Sequence, residues 1–212
     1  MKKVPFWMHH IISVLALVVL VLMPRMVEAQ CGPITMMPYG ENFDSYTTLT
    51  TANTHVMPDC WHTVQLDAPT TVVNNMPQIY YSTTNSHSST YSLRLYQRAL
   101  VAMPYVSADV STLEMELWVK QNLGSVRLVV GVMSDTTDAS TFVPVDTLRN
   151  TVNNTYTLHH VTFDSYTGNG HYIAFRNYDT VLTRNFSTNF IDDIALSTVT
   201  SCTRPANLGV SR

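Results

Sequence analysis

The segment Leu113-Glu114-Met115-Glu116-Leu117-Trp118-Val119-Lys120 decides the fold class. Apolar residues hold the odd positions, and the even positions are mostly charged. A period of two turns one row of side chains toward a core and the other toward water, which is the pattern of a half-buried β-strand.

The same reading extends outward. Val126 to Val132 is a more continuously apolar strand, broken by Arg127, and Asn122-Leu123-Gly124-Ser125 separates it from the first. Two strands joined by so short a turn predict a hairpin. Tyr91, Leu93 and Leu95 alternate with Ser92 and Arg94. From Tyr156 to Phe163 the phase slips at His160-Val161, where a bulge is expected. Tyr172 to Arg176 and Phe190 to Leu196 supply two more strands. Thr167-Gly168-Asn169-Gly170 reads as a turn, and Ser134 to Ser140 and Thr180 to Thr188 as polar loops. No stretch outside the amino-terminal segment has a helical period. Many short strands at this spacing predict an all-β sandwich, jelly roll or barrel. Phe43-Asp44-Ser45-Tyr46-Thr47 recurs as Phe163-Asp164-Ser165-Tyr166-Thr167, but the flanks do not align. Each copy reads as an aromatic strand end followed by a turn.

The first 29 residues read as a signal peptide. Lys2 and Lys3 precede an apolar run from Ile11 to Met23; Pro24 breaks it, and Val27-Glu28-Ala29 leaves short residues before Gln30. The run is short for a bilayer span, which needs roughly 20 residues. Removing Lys2, Lys3, Arg25 and Glu28 from the 12 basic and 15 acidic residues leaves 9 against 14, with Lys120 the single lysine. That balance argues against nucleic acid, which calls for a basic patch, and against anionic membrane surfaces. Only 13% of the chain is charged, against about 25% in average soluble proteins. Thr, Ser, Asn, Val and Tyr take up the difference, a composition of strands and turns. Cys31, Cys60 and Cys202 all follow the leader. In an oxidising compartment an odd count means one pair with one left over, or a partner beyond this chain; Cys31 with Cys202 and Cys31 with Cys60 are both open, and the sequence does not choose.

Candidate chemistry is sparse. The chain holds no G-x-S-x-G and no H-E-x-x-H. Glu114 and Glu116 share a strand face, as the paired acids of some glycosidases do, but no further acid follows on that strand. They read as a solvated face. His159-His160 puts one imidazole on each side of a strand, too few ligands for zinc.

The ends are richer. Glu41, Asn42 and Asp44 are placed on the first strand, and Asp192 and Asp193 interrupt the last one as Phe190-Ile191-Asp192-Asp193-Ile194. Adjacent aspartates within a strand turn one carboxylate inward, where an unpaired charge is costly. Calcium binds carboxylate and carbonyl oxygens and removes that cost. If the first and last strands pair, Glu41 or Asp44 meets Asp192 or Asp193 at one ion. The alternative is that Asp192 caps a bend and Asp193 faces water.

Glu41-Asn42-Phe43-Asp44, Pro58-Asp59-Cys60-Trp61, Ser89-Thr90-Tyr91-Ser92-Leu93-Arg94-Leu95, Gly170-His171-Tyr172-Ile173-Ala174-Phe175-Arg176 and Ile191-Asp192-Asp193-Ile194 occur in this order. The set resembles the cleaved-adhesin, or choice-of-anchor J, family of Bacteroidetes surface proteins, which are similar to MAM domains. The resemblance implies a jelly-roll β-sandwich of two antiparallel sheets over residues 30–200. It also implies a structural calcium between Glu41, Asp44, Asp192 and Asp193, and Trp61 as a core anchor. Thr63 to Thr71 holds only Asp67, so a second calcium loop is not expected. Residues 201–212 resemble the opening of a fibronectin type III module.

The expectation is therefore an exported, calcium-stabilised, non-catalytic surface module, adhesin-like, on or outside a Gram-negative cell. Its partner would be a host or surface protein or a glycan. The alternative is a carbohydrate-binding module accessory to a secreted hydrolase. That reading needs exposed rings, for which Tyr80, Tyr81, Tyr105 and Tyr178 are the candidates.

Overall fold

A computed structural model describes residues 32–46, 56–64, 66, 77–96, 99–180 and 187–199. The signal peptide, Cys31, Cys202 and the fibronectin-like tail lie outside the described residues.

Among the described residues, eleven strands form two sheets. They are β1 (Tyr39–Glu41), β2 (His62–Val64), β3 (Gln78–Tyr81), β4 (Tyr91–Tyr96), β5 (Leu100–Ala102), β6 (Leu113–Gln121), β7 (Val126–Met133), β8 (Val143–Leu148), β9 (Tyr156–Thr162), β10 (Tyr172–Asp179) and β11 (Thr188–Thr198). The first sheet runs β3-β4-β11-β6-β9, with β1 also paired to β11; the second runs β2-β5-β10-β7-β8. Every ladder between named strands is antiparallel. Only β3 with β4 and β7 with β8 are consecutive strands paired in one sheet. Elsewhere the chain crosses between the sheets at each step, as expected of a jelly-roll sandwich.

The core is the sum of the inward rows. Leu113, Met115, Leu117 and Val119 of β6 face Leu128, Val130 and Val132 of β7, and Ile173 and Phe175 of β10 join them. Trp61 is 7% exposed, stacks on Phe175 at 6.0 Å and meets Phe43 edge-on at 5.9 Å. It anchors the core as expected. Phe43 and Phe163 are both fully buried just past a strand end, each followed by a turn.

Three expectations fail, each for a physical reason. β6 and β7 do not form a hairpin. They belong to different sheets, so their apolar rows meet face to face across the core. A two-residue hairpin turn needs positive φ at its centre, and no described glycine, Gly124 included, has it. The bulge expected at His160-Val161 is absent: β9 pairs β6 without a break from Lys120↔Tyr156 to Glu114↔Thr162. His159 simply occupies the row of Val161 and Phe163, so a polar residue stands where an apolar one was looked for. Finally, β1 ends at Glu41, which places Asn42 and Asp44 in the turn beyond the strand.

The bulge lies instead in β11. Asp192 pairs with Trp118 and Ala195 with Glu116, so three steps on β11 match two on β6. The extra residue lets Ile191 and Ile194 both face the core, and Asp193 takes φ 45°. Here the neighbour of β11 also changes. β4 pairs with Thr188 to Ile191, and β1 takes the same edge from Ile194 to Leu196.

Candidate functional site

Asp192 shares a sheet face with its cross-strand partner Trp118, opposite to Leu117 and Val119. It points away from the core, yet it is 0% exposed because the β3–β4 loop covers it. Its Oδ2 accepts the amide N–H of His87 at 2.7 Å and of Ser88 at 3.2 Å, and its Oδ1 accepts the N–H of Asp193 at 2.8 Å. Asp193 continues the grip. Its Oδ1 accepts the Ser88 hydroxyl at 2.7 Å, and its Oδ2 lies 2.6 Å from His87 Nδ1. The His87 ring stacks on Trp118 at 3.8 Å, and Tyr156 meets it edge-on at 5.4 Å. Tyr156 and Lys120 then tie the loop down from β9 and β6, donating to the carbonyls of Asn85 at 2.7 Å and Thr84 at 2.6 Å. Burial pushes the Asp192 carboxyl up to about 7, with Asp193 adding to it and the three N–H bonds opposing. Burial likewise raises the Tyr156 hydroxyl and lowers the Lys120 ammonium.

The other two expected ligands lie on the opposite side of the sheet. Glu41 pairs with the core residue Ile194, and its strand neighbour Tyr39 packs on the core. Glu41 Oε1 accepts the Phe43 N–H at 2.7 Å, and Asn42 Nδ2 donates to Asp44 Oδ2 at 3.1 Å. Burial raises the Glu41 pKa, and the charges of Asp59 and Asp44 raise it further. Asp44 Oδ1 is buried without a hydrogen-bond partner among the described residues. The four carboxylates therefore fall into two pairs, Glu41 with Asp44 and Asp192 with Asp193. Among the described residues no three His, Cys, Asp or Glu side chains converge to hold a metal ion. The aspartate pair on β11 has protein partners for all four oxygens. Asp59 lies near the Glu41–Asp44 pair, close enough for its charge to act on Glu41. Its place in Pro58-Asp59-Cys60-Trp61 was the available signal for it.

Glu114 and Glu116 stand on the outer face of β6. Glu114 meets His160 Nε2 at 3.1 Å and accepts the Ser197 hydroxyl at 3.4 Å, while Glu116 is exposed. His159 is held by Asn150 Oδ1 at 2.8 Å, and burial lowers its pKa. That contact belongs to a chain of buried amides the strand patterns did not reveal. Asn189 Nδ2 donates to Asn177 Oδ1 at 2.6 Å, Gln121 Nε2 to Asn189 Oδ1 at 2.9 Å, and the Asn150 N–H to Gln121 Oε1 at 2.7 Å. The signal was present: the inward rows Leu117-Val119, Ile173-Phe175 and Ile191 each run on, at one end, into Gln121, Asn177 and Asn189.

The four candidate rings part company. Tyr80 packs on Phe190 at 5.6 Å with the Arg94 guanidinium 4.4 Å over it, and Tyr81 leans on Tyr91 at 5.4 Å. Tyr178 is exposed on β10. Tyr105, just beyond β5, alone joins a partly exposed cluster beside the second sheet, in which His171 and Tyr172 are half-buried. It stacks on His171 at 4.6 Å and meets Tyr172 edge-on at 5.5 Å, and Tyr172 meets His62 at 5.9 Å. A cavity of about 480 Å³ opens nearby in the chain, lined by Ile34, Met36, Tyr39, Asp59, Cys60 and Pro104. Cys60 is disulfide-bonded, with its partner outside the described residues.

No family model matches the chain, and no curated protein matches it. Solved structures do. The K2 cleaved adhesin domain of Lys-gingipain is similar at 14% identity with a TM-score of 0.55, over 76% of this chain and 99% of that one. The K1 domain of Lys-gingipain from Porphyromonas gingivalis W83 gives 14% and 0.53, over 77% and 99%. The K3 domain from the same strain gives 18% and 0.52, over 76% and 98%. At these identities the likeness is one of fold: an adhesin-like β-sandwich.

Proposed function

We propose that the chain is an exported, non-catalytic binding module of a bacterial surface, adhesin-like in role as in fold. The observation that carries this reading is the Tyr105 cluster, a partly exposed aromatic surface beside the second sheet of the sandwich. The titratable groups elsewhere support it, since Asp192, Asp193, Glu114, His159 and His160 are engaged in holding strands and loops together. The gingipain domains of the same fold are named as adhesins, and the amino-terminal segment has the pattern of an export signal. Calcium belongs to the proposal as a structural ion at Glu41 and Asp44, with Asp59 beside them, where it would neutralise clustered charge and fix the turn beyond β1.

The test is binding of the purified chain to intact host and bacterial cells, run beside turnover assays on chromogenic glycosides and esters. Saturable cell binding without turnover is expected. Turnover, or no saturable binding to any cell type, overturns the reading.

A further inference from the structure

We infer that the Tyr105 cluster is a sugar-stacking site whose ligand is a neutral glycan, an inference that rests on the binding-module reading above and names its ligand class. Tyr105 is 39% exposed, yet both its ring and its backbone are fixed. Its carbonyl accepts the Ile34 N–H at 2.7 Å, the next residue donates to the His171 carbonyl at 2.8 Å, and Ser107 donates to Ile34 at 3.0 Å. His171 is oriented in turn, with Nδ1 2.8 Å from the Val106 carbonyl. A ring nitrogen facing a carbonyl must carry the proton, so in the neutral ring Nε2 is left as an acceptor.

Free exposed tyrosines gain nothing from being held still. A ring immobilised before a ligand arrives spares the complex that ordering cost. The electron-rich face of an aromatic ring attracts the polarised C–H groups on the flat side of a pyranose. The residues in ring contact within the cluster, Tyr172, His171 and the exposed His62, carry the donors and acceptors that hydroxyl groups need. The mixed charge around the cluster suits an uncharged ligand. Neither sign dominates: Arg176 shares the outer row of β10 with Tyr172, Asp109 interacts electrostatically with His171, and Lys120 is on the other sheet.

The experiment applies the full chain, as Tyr105→Ala, Tyr105→Phe, Tyr178→Ala and unaltered, to an array of neutral oligosaccharides of glucose, galactose, mannose, xylose and N-acetylhexosamines. Hits are quantified by calorimetry. The expected result is binding that falls at least tenfold in Tyr105→Ala and stays within threefold in Tyr105→Phe and Tyr178→Ala. Phenylalanine keeps the stacking face, and Tyr178 is equally exposed but outside the cluster. Glycan binding that survives Tyr105→Ala overturns the site while leaving the binding-module reading intact. An array with no hit overturns the ligand class. If cell binding then proves sensitive to Tyr105→Ala but not to removal of cell-surface glycans, the surface docks a protein and the glycan assignment is wrong.

Discussion

Trp118 and Asp192 stand opposite each other across the β6–β11 ladder, and His87 closes on both, its ring on the indole and its amide on the carboxylate. Two adjacent aspartates within a strand thus find their partners in a loop that arrives from more than 100 residues earlier in the chain. The bulge turns Asp193 so that both carboxylates reach the same loop.

Asp192→Ala strands the N–H groups of His87, Ser88 and Asp193 beneath the loop. Orphaned buried donors cost roughly 1–3 kcal/mol each, and partial access of water reduces the sum, so a loss of about 3 kcal/mol is expected in denaturant unfolding. Hydrogen exchange at His87 and Ser88 should accelerate along with it. Unchanged exchange at these amides would remove the carboxylate from its place as the loop's anchor.

Trp118→Ala keeps those hydrogen bonds and removes the surface under His87. A loss of about 1–2 kcal/mol is expected from stacking and buried area. The test is the double variant with His87→Ala, whose loss should fall short of the sum of the two single losses.

The buried amides should be as demanding as the apolar core. Asn189→Leu leaves Asn177 Oδ1 and the Arg127 carbonyl without the donor they have here and Gln121 Nε2 with only its longer bond to Leu148, and about 3 kcal/mol of stability should go with it. Thermal unfolding of this variant beside Ile191→Val, expected to lose about 1 kcal/mol, gives the comparison.

His159 sets a pH dependence. Burial holds its pKa below the ordinary 6.5, so as pH falls the unfolded chain takes up the proton first. The stability contributed by the neutral ring is present above about 6.5 and is lost as pH falls below that value. Asp192 acts in the opposite sense, since a carboxyl raised to about 7 favours the folded state as pH falls from there. The difference between the unaltered chain and His159→Gln therefore isolates the histidine, and it should shrink steadily from pH 7 to pH 5.

The strands were legible because the inward rows are strict. Leu113 to Val119 and Tyr91 to Leu95 alternate without exception on the core side, and a one-residue slip would expose the whole set. What the pattern could not supply was pairing. The Asn122 to Ser125 turn is short enough for a hairpin, yet which sheet the next strand joins depends on its partners across the core. Nor could it show which polar residue is buried against another. His159 mimicked a phase slip because its partner Asn150 sits in the β8–β9 connection, outside any strand, and the partners of Asp192 stand in the β3–β4 loop, far back in the chain. The Asp192-Asp193 oddity was correctly marked as the special place in β11, and its cause, a bulge at which the strand changes neighbours, appears only in the register.

The most direct measurement is a thermal melt of the full chain, with calcium and then with a chelator, on the unaltered protein, Asp192→Asn and Asp44→Asn. Calcium at about 100 times its Kd should add roughly 2.7 kcal/mol to a domain that binds it in the folded state alone. The account predicts a calcium-dependent rise in Tm that persists in Asp192→Asn, from a lower starting point, and disappears in Asp44→Asn. A calcium response lost in Asp192→Asn and kept in Asp44→Asn would contradict it, and would make the β11 aspartates cation ligands rather than the anchor of the β3–β4 loop.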